Sequence, residues 1–393
     1  MTEPRHRVYF VPGMFGFGQL AGYDYFQHVK RCLAPRFAAE GITAVFHDVP
    51  APPTSSLRER ARVLTTTIAH TAGSEGPIHI LGHSTGGLDA RLALSPHSNV
   101  RAHRDLCRWI PRVRSLVTLN TPHFGTPLAG YFATVSGARL LYAISLLTVV
   151  SLKLGEPSLA LFSRLLAGLG GIDSLFGGDL QLFSRVTGGI LRFVDAEGRA
   201  EIKSYLSKVQ VDQGAIIQIA PEAMDLFNAA VVNAEHVRYA SVVAAAPRPG
   251  SLRPAKGVRS PSMALSAALY TTLYQFTGQV HERYDYASPT RGQLLTIKDA
   301  TGEDVTRGDS DGIVPTLSML WGDLLWATEA DHLDTLGHFQ DDQKPAVHTD
   351  WLTSGAHMTR LEFRRMMDRV ADFLLGSRAP ASSPSSSPPS VPA

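Results

Sequence analysis

Ile78-His79-Ile80-Leu81-Gly82-His83-Ser84-Thr85-Gly86-Gly87 is the stretch on which the reading of this chain turns. It begins as a short apolar run of strand type and ends in Gly-x-Ser-x-Gly, at Gly82, Ser84 and Gly86. Leu88 to Leu94, rich in good helix formers, follows directly. Strand, tight turn and helix in that order are the context in which this pattern lifts a serine onto a sharp, strained turn. Only glycine leaves room around such a backbone. Ser84 is therefore the candidate nucleophile, and its partners must be sought elsewhere in the chain.

Upstream, Arg7 to Val11 is a strand pattern that runs into Pro12-Gly13-Met14-Phe15-Gly16-Phe17-Gly18. Tyr23 to Phe37 contains a helix, and Ile42 to His47 reads as a second strand. Leu57, Ala61, Leu64 and Ile68 keep the i, i+4, i+7, i+11 rhythm of an amphipathic helix. Beyond the elbow, Arg114 to Leu119 is another strand, ending in Asn120-Thr121-Pro122-His123-Phe124-Gly125. Strands alternating with helices predict a mostly parallel sheet with helices on both faces. With the elbow in place the expected class is an α/β-hydrolase, which builds half of its oxyanion hole in the loop after an early strand.

Further on, Ala220 to Asn233 reads as helix, Val237 to Ala245 as strand and Ser262 to Thr277 as helix. Leu324 to Ala327 is a short strand-like run. Phe363, Met366, Met367, Val370, Phe373 and Leu374 share one face of a final helix, which Gly376 ends. Between about 128 and 192 the texture changes to Leu, Ala, Ser, Gly and Phe, with Leu159, Phe162, Leu165, Leu166 and Leu169 on one helical face. This segment reads as an inserted apolar helical cap or lid, against the plainer alternative of core-packing helices. The expected layout is one hydrolase domain over 1–377 carrying that cap, then a Ser/Pro tail over 378–393 unable to bury a core.

Bulk composition narrows the function classes. The 393 residues are 44% hydrophobic and 18% charged, enough for a sizeable core. Lys plus Arg is 37 and Asp plus Glu is 35, so a net +2 gives no argument for a nucleic-acid partner. Two cysteines, Cys32 and Cys107, cannot make a disulfide framework. No apolar signal region precedes the first strand, which points to the cytoplasm, or to secretion if the leader is missing or export is leaderless. The longest apolar run, Leu140 to Leu152, falls short of the roughly 20 residues of a spanning helix, so no transmembrane segment is expected.

A serine hydroxyl needs a base to remove its proton, and the base is normally a histidine oriented by a carboxylate. On this fold the acid and base follow the serine in the order acid, then histidine. Asp311, in Asp-Gly-Ile-Val-Pro, is the leading acid; Asp309 is its rival, and both could simply cap a turn. His332, His338, His348 and His357 are the late histidines. His332 lies just past a strand-like run, and His357 sits just ahead of the final helix.

Together these motifs resemble the bacterial secreted triacylglycerol lipases. The elbow is similar to their Gly-His-Ser-x-Gly-Gly. Gly13 to Gly18 and Gly22-Tyr23-Asp24-Tyr25 resemble their His-Gly-Met-Leu-Gly-Phe loop and the Gly-Val-Asp-Tyr after it. Pro122-His123-Phe124-Gly125 is like their Pro-His-x-Gly, Asp311-Gly312-Ile313-Val314 like their Asn-Asp-Gly-Leu-Val, and Asp331-His332-Leu333-Asp334 like their Asn/Asp-His-Leu-Asp/Glu. The resemblance implies Asp311 as acid and selects His332 over His357 as base. It also implies an oxyanion hole made by the backbone N–H groups of Met14 and Thr85. The chain departs from the family at Pro12, which stands where the family has histidine. The family often binds a structural calcium ion near the base. Asp334 matches one carboxylate ligand and Asp285 stands for the other, the alternative being an exposed Asp pair on a loop. No cofactor is required for the chemistry. The implied activity is hydrolysis of carboxylic esters, lipid-like given the apolar cap, at a lipid–water interface. An acyltransferase or thioesterase would use the same residues, and an inactive hydrolase fold acting as a binding protein is the reading of another class.

Overall fold

Alternation along the first strand, β1 (His6–Val11), sends side chains to both faces of a sheet: Val8 and Phe10 enter one core, Tyr9 and Val11 the other. The computed structural model describes residues 5–14, 19–20, 23–98, 100, 104–134, 145, 196–250, 261–280, 282, 284, 286 and 288–376. Two short strands, β2 (Gln19–Leu20) and β3 (Tyr23–Asp24), pair antiparallel with each other. The main sheet is completed by β4 (Ala44–Asp48), β5 (Ile78–His83), β6 (Val113–Leu119), β7 (Arg238–Ala245) and β8 (Asp323–Glu329). Its order is β4-β1-β5-β6-β7-β8, with every neighbouring pair parallel. A parallel sheet needs cover on both faces. The buried strand β5 and the near-continuous apolar run of β7 meet that requirement.

The cover comes from the helices that the apolar rhythms predicted. Helix α1 (Gln27–Ala39) packs Val29, Leu33 and Phe37 on one face, beside Phe363, Met366, Met367 and Val370 of the last helix, Arg360–Leu375. Helix α2 (Leu57–Thr71) buries Ala61, Leu64 and Ile68 on the other, together with Ala90, Ala93 and Leu94 of α3 (Thr85–Leu94). Three further helices, Ala196–Val211, Gly214–Gln218 and Arg291–Thr301, escaped the sequence reading. Among the described residues no helix is long and apolar enough to cross a membrane. Neither Cys32 nor Cys107 is joined in a disulfide.

The chain places β4 on one side of β1 and β5 on the other, so the winding reverses between β1 and β5. At such a switch point the two following loops diverge and leave a crevice beyond the carboxyl ends of the strands. Those loops are Pro12–Met14 and the turn at Ser84. Of the expected cap, only a first short helix, Leu128–Phe132, adjoining residues to 134, and residue 145 are described. Residues 135–144 and 146–192 lie outside the described residues, as does the tail over 378–393.

Candidate active site

Ser84 joins β5 to α3 at φ 52° and ψ −130°. A non-glycine residue held there costs about 1–3 kcal/mol and persists only where its surroundings enforce it. They do so through the backbone and through missing side chains. The Ser84 N–H donates to the Leu119 carbonyl on β6 at 2.8 Å, and the Gly87 N–H donates to the Ser84 carbonyl at 3.1 Å. A Cβ on Gly86 would run into the Val11 carbonyl at the end of β1. A Cβ on Gly13 would lie 2.5 Å from the Cβ of Ser84, so glycine at both positions lets the β1 loop close over the elbow.

Asp311 and His332, 21 residues apart, meet at the far side of the crevice. His332 Nδ1 lies 2.6 Å from Asp311 Oδ2. The other carboxylate oxygen, Oδ1, accepts the N–H groups of Ile313 at 2.9 Å and Val314 at 2.7 Å. A carboxylate only accepts, so Nδ1 carries the proton and Nε2 of the neutral ring is left to accept one. The rival Asp309 is fully engaged elsewhere. It accepts both prongs of Arg248 at 2.6 and 2.8 Å, the Tyr274 hydroxyl and the Thr306 N–H. Burial alone would raise its pKa, but those bonds hold it below the usual carboxylate range. His357 is exposed ahead of the last helix. His338 and His348 pack with His28, ring centroids 5.5 and 4.4 Å from it.

The backbone of His332 is clamped from the elbow side. Its carbonyl accepts from His83 Nε2 at 2.9 Å and from Asn120 Nδ2 at 3.3 Å. A carbonyl cannot donate, so His83 carries its proton on Nε2, and its Nδ1 accepts the Tyr25 hydroxyl at 3.0 Å. Complete burial and the neighbouring His332 ring push the His83 pKa well below its ordinary value, so this ring is neutral. Asn120 holds a positive φ of 49°, a conformation asparagine tolerates better than most residues. His83, Tyr25 and Asn120 all stood inside quoted motifs, but nothing in the sequence marked what they hold.

Ser84, His332 and Met14 line one narrow cavity of about 30 Å³. Its walls are otherwise mostly apolar, from Leu128 and Phe132 of the short helix Leu128–Phe132 to Ile219, Ile313 and Trp351. Thr85 is the first residue of α3, so its N–H is among the orphan donors of a helix N-terminus, where negative charge is favoured.

Asp334 sits beside Asp331 and Asp350, one carboxylate oxygen of each lying within 4.8 Å of the others. Asp285 lies outside the described residues. Burial drives the carboxyl of Asp331 up to about 7, with the Asp311 charge adding to it, and drives that of Asp334 upward with the charges of Asp331 and Asp350. The buried Oδ2 of Asp331 has no hydrogen-bond partner among the described residues. Three crowded carboxylates, one with an orphaned oxygen, offer the donors of a hard divalent cation, which takes six to eight oxygen ligands. Asp350 was invisible in the sequence because it lies on a loop 16 residues beyond Asp334 with no local pattern.

No family model and no curated protein matches the chain. Among solved structures it is similar to EstA from Clostridium botulinum, at 17% identity and a TM-score of 0.52, covering 95% of this chain and 88% of that one. Staphylococcus hyicus lipase matches at 16% identity and a TM-score of 0.49, covering 95% of this chain and 96% of that one. Lipase 1 from Pelosinus fermentans matches at 16% and 0.48, covering 94% and 99%. At such identities a likeness speaks for the fold alone. Joined to the six-stranded parallel sheet and its crevice between β1 and β5, the likeness to EstA gives this chain the α/β-hydrolase fold.

Proposed function

We propose that the protein is a serine hydrolase of carboxylic esters with apolar, lipid-like acyl groups. One observation carries the reading: a strained serine and a carboxylate-anchored histidine border the same apolar cavity at the fold's switch point. The name of the fold neighbour EstA is in keeping with it.

In this reading the Ser84 hydroxyl oxygen attacks the ester carbonyl while Nε2 of His332 takes its proton. Asp311 stabilises the imidazolium through Nδ1–H. The N–H groups of Met14 and Thr85 receive the developing oxyanion, each donor worth about 10²–10³ in rate. Collapse of the tetrahedral intermediate expels the alcohol, which takes the proton from His332. Water then attacks the acyl-enzyme, again with His332 as base, and frees the acid. Asp331, Asp334 and Asp350 would hold a calcium ion. A bound ion would supply charge neutralisation to the turn that follows β8 and carries His332.

Active-site labelling by a fluorophosphonate probe tests the class. Wild type should label and Ser84→Ala should not; equal labelling of the two would remove Ser84 from the mechanism. Hydrolysis of p-nitrophenyl esters of rising chain length tests the acyl preference. Acetate cleaved well and long chains left intact would remove the lipid-like substrate.

A further inference from the structure

Arg60 is wholly buried, and so is its partner Asp89. Its Nη2 lies 2.8 Å from Asp89 Oδ2, and Nε donates to the same oxygen at 2.9 Å. Burying such a pair is weak evidence for stability, because desolvation consumes several kcal/mol per ion. The rest of the guanidinium shows what this pair does in the fold. Nη2 also donates to the Pro12 carbonyl at 2.6 Å, and Nη1 donates to the Pro52 carbonyl and, at 3.4 Å, to that of Pro53. One planar fork thus ties together α2, the elbow helix α3, the loop after β1 and the proline break after β4. A lysine, with a single point of charge, could not span that set.

Pro12 makes the contact specific. Proline has no N–H and no polar side chain, so the carbonyl is the one hydrogen-bonding handle residue 12 offers. Two residues later stands Met14, whose N–H faces the oxyanion in the proposed reaction. Between them Gly13 packs against Ser84 with no space for a Cβ. The position of the Pro12 carbonyl therefore governs how the Met14 N–H approaches the elbow. Arg60 does not line the cavity, so it cannot touch substrate.

We infer that Arg60, oriented by Asp89, is a positioning residue for the oxyanion loop, holding it through the Pro12 carbonyl. The inference rests on the ester-hydrolase reading. It predicts a loss confined to the transition state: kcat falls and KM does not. A misplacement of about 1 Å at a remote support costs on the order of 10²-fold.

The test separates positioning from mere stability. Replacing both members of a buried pair by apolar residues of similar volume is often neutral or stabilising. The double variant Arg60→Met with Asp89→Leu should therefore unfold near the wild-type temperature. It should still lose about 10- to 100-fold in kcat on p-nitrophenyl esters. A boronic acid that forms a tetrahedral adduct at Ser84 should bind more weakly by the same factor as kcat/KM. Arg60→Lys, which keeps the charge beside Asp89, should show the same split and decides the matter if the double variant does not fold. A folded variant with wild-type kcat, or one whose loss lies in KM alone, overturns the positioning role while leaving the hydrolase reading intact. A wild type that neither labels with fluorophosphonate nor cleaves esters overturns both.

Discussion

The two sides of the crevice are built by different means. The elbow side, from β1 and β5, is fixed by shape. Gly13 and Gly86 admit contacts no side chain could survive, and one buried guanidinium gathers three carbonyls. The opposite side, around and beyond β8, is fixed by carboxylates on turns. Asp309, Asp311, Asp331 and Asp341 each accept backbone N–H groups, and Asp331, Asp334 and Asp350 crowd together. Close packing is indifferent to cations, whereas a cluster of carboxylates responds to them. The nucleophile should therefore be held with or without a divalent cation, and the loop bearing His332 should be the part that loses support when one is removed.

The largest effects should be equal on the two sides, since the chemistry needs both. Ser84→Ala and His332→Ala should each cost about 10⁶-fold in kcat, as members of a unit that acts together. His357→Ala, on the exposed loop, should cost nothing, and full activity in His332→Ala would move the base elsewhere. Next comes Gly13→Ala, which must push the β1 loop off Ser84. About 10²–10³ in kcat should be lost, the worth of one oxyanion donor. That loss should be the same with and without calcium. A calcium-dependent loss would break the division between the sides.

How much of this was legible follows the same division. The elbow, the six strands of the main sheet and the helices α1, α2 and the last one were readable because apolar period and glycine spacing are local. So were Asp311 and His332, once the resemblance ordered them. The helix Arg291–Thr301 carried a readable signal that was missed: Thr290 and Gln293 form a capping box. Arg60 and Asp350 carried none. Arg60 sits within an amphipathic helix among Arg58 and Arg62, where a charge normally faces water. Its burial is decided by Asp89 and by three carbonyls from two other segments. Asp350 meets Asp331 and Asp334 only through the folding of a loop, and no pattern in the sequence records such a meeting.

Cations should act on the carboxylate side alone. Calcium at 100 times its dissociation constant would stabilise the fold by about 2.7 kcal/mol, and chelation would remove that gain. Thermal unfolding with calcium or with EDTA reads the shift directly. Asp350→Asn should abolish the response, while Gly13→Ala should keep it in full. An identical unfolding temperature under both conditions would show that the three carboxylates hold no such ion.

The smallest expected effect is a pair of pH dependences of opposite sign. Asp341 accepts Arg360 through both oxygens, at 2.9 and 3.0 Å, and the N–H groups of Val347 and His348 at 2.8 and 3.2 Å. Burial alone would raise its pKa, but these bonds outweigh it and hold the carboxyl well below the ordinary range. A depressed folded value gives stability that is complete above the unfolded value of about 3.9 and is lost as pH falls below it. Urea unfolding should then show Asp341→Asn less stable than wild type by about 1–3 kcal/mol, equally at pH 5 and pH 7, with the gap closing toward pH 2. Asp89, on the elbow side, is the reverse case: burial pushes it up to about 6 against the pull of Arg60. Its raised value gives stability that is complete below about 3.9 and is lost as pH rises through about 6. Wild type should therefore lose ground to Asp89→Asn between pH 4 and pH 7, the window in which the Asp341 gap stays flat. Two gaps that moved together across that window would mean that one cooperative titration governs both regions.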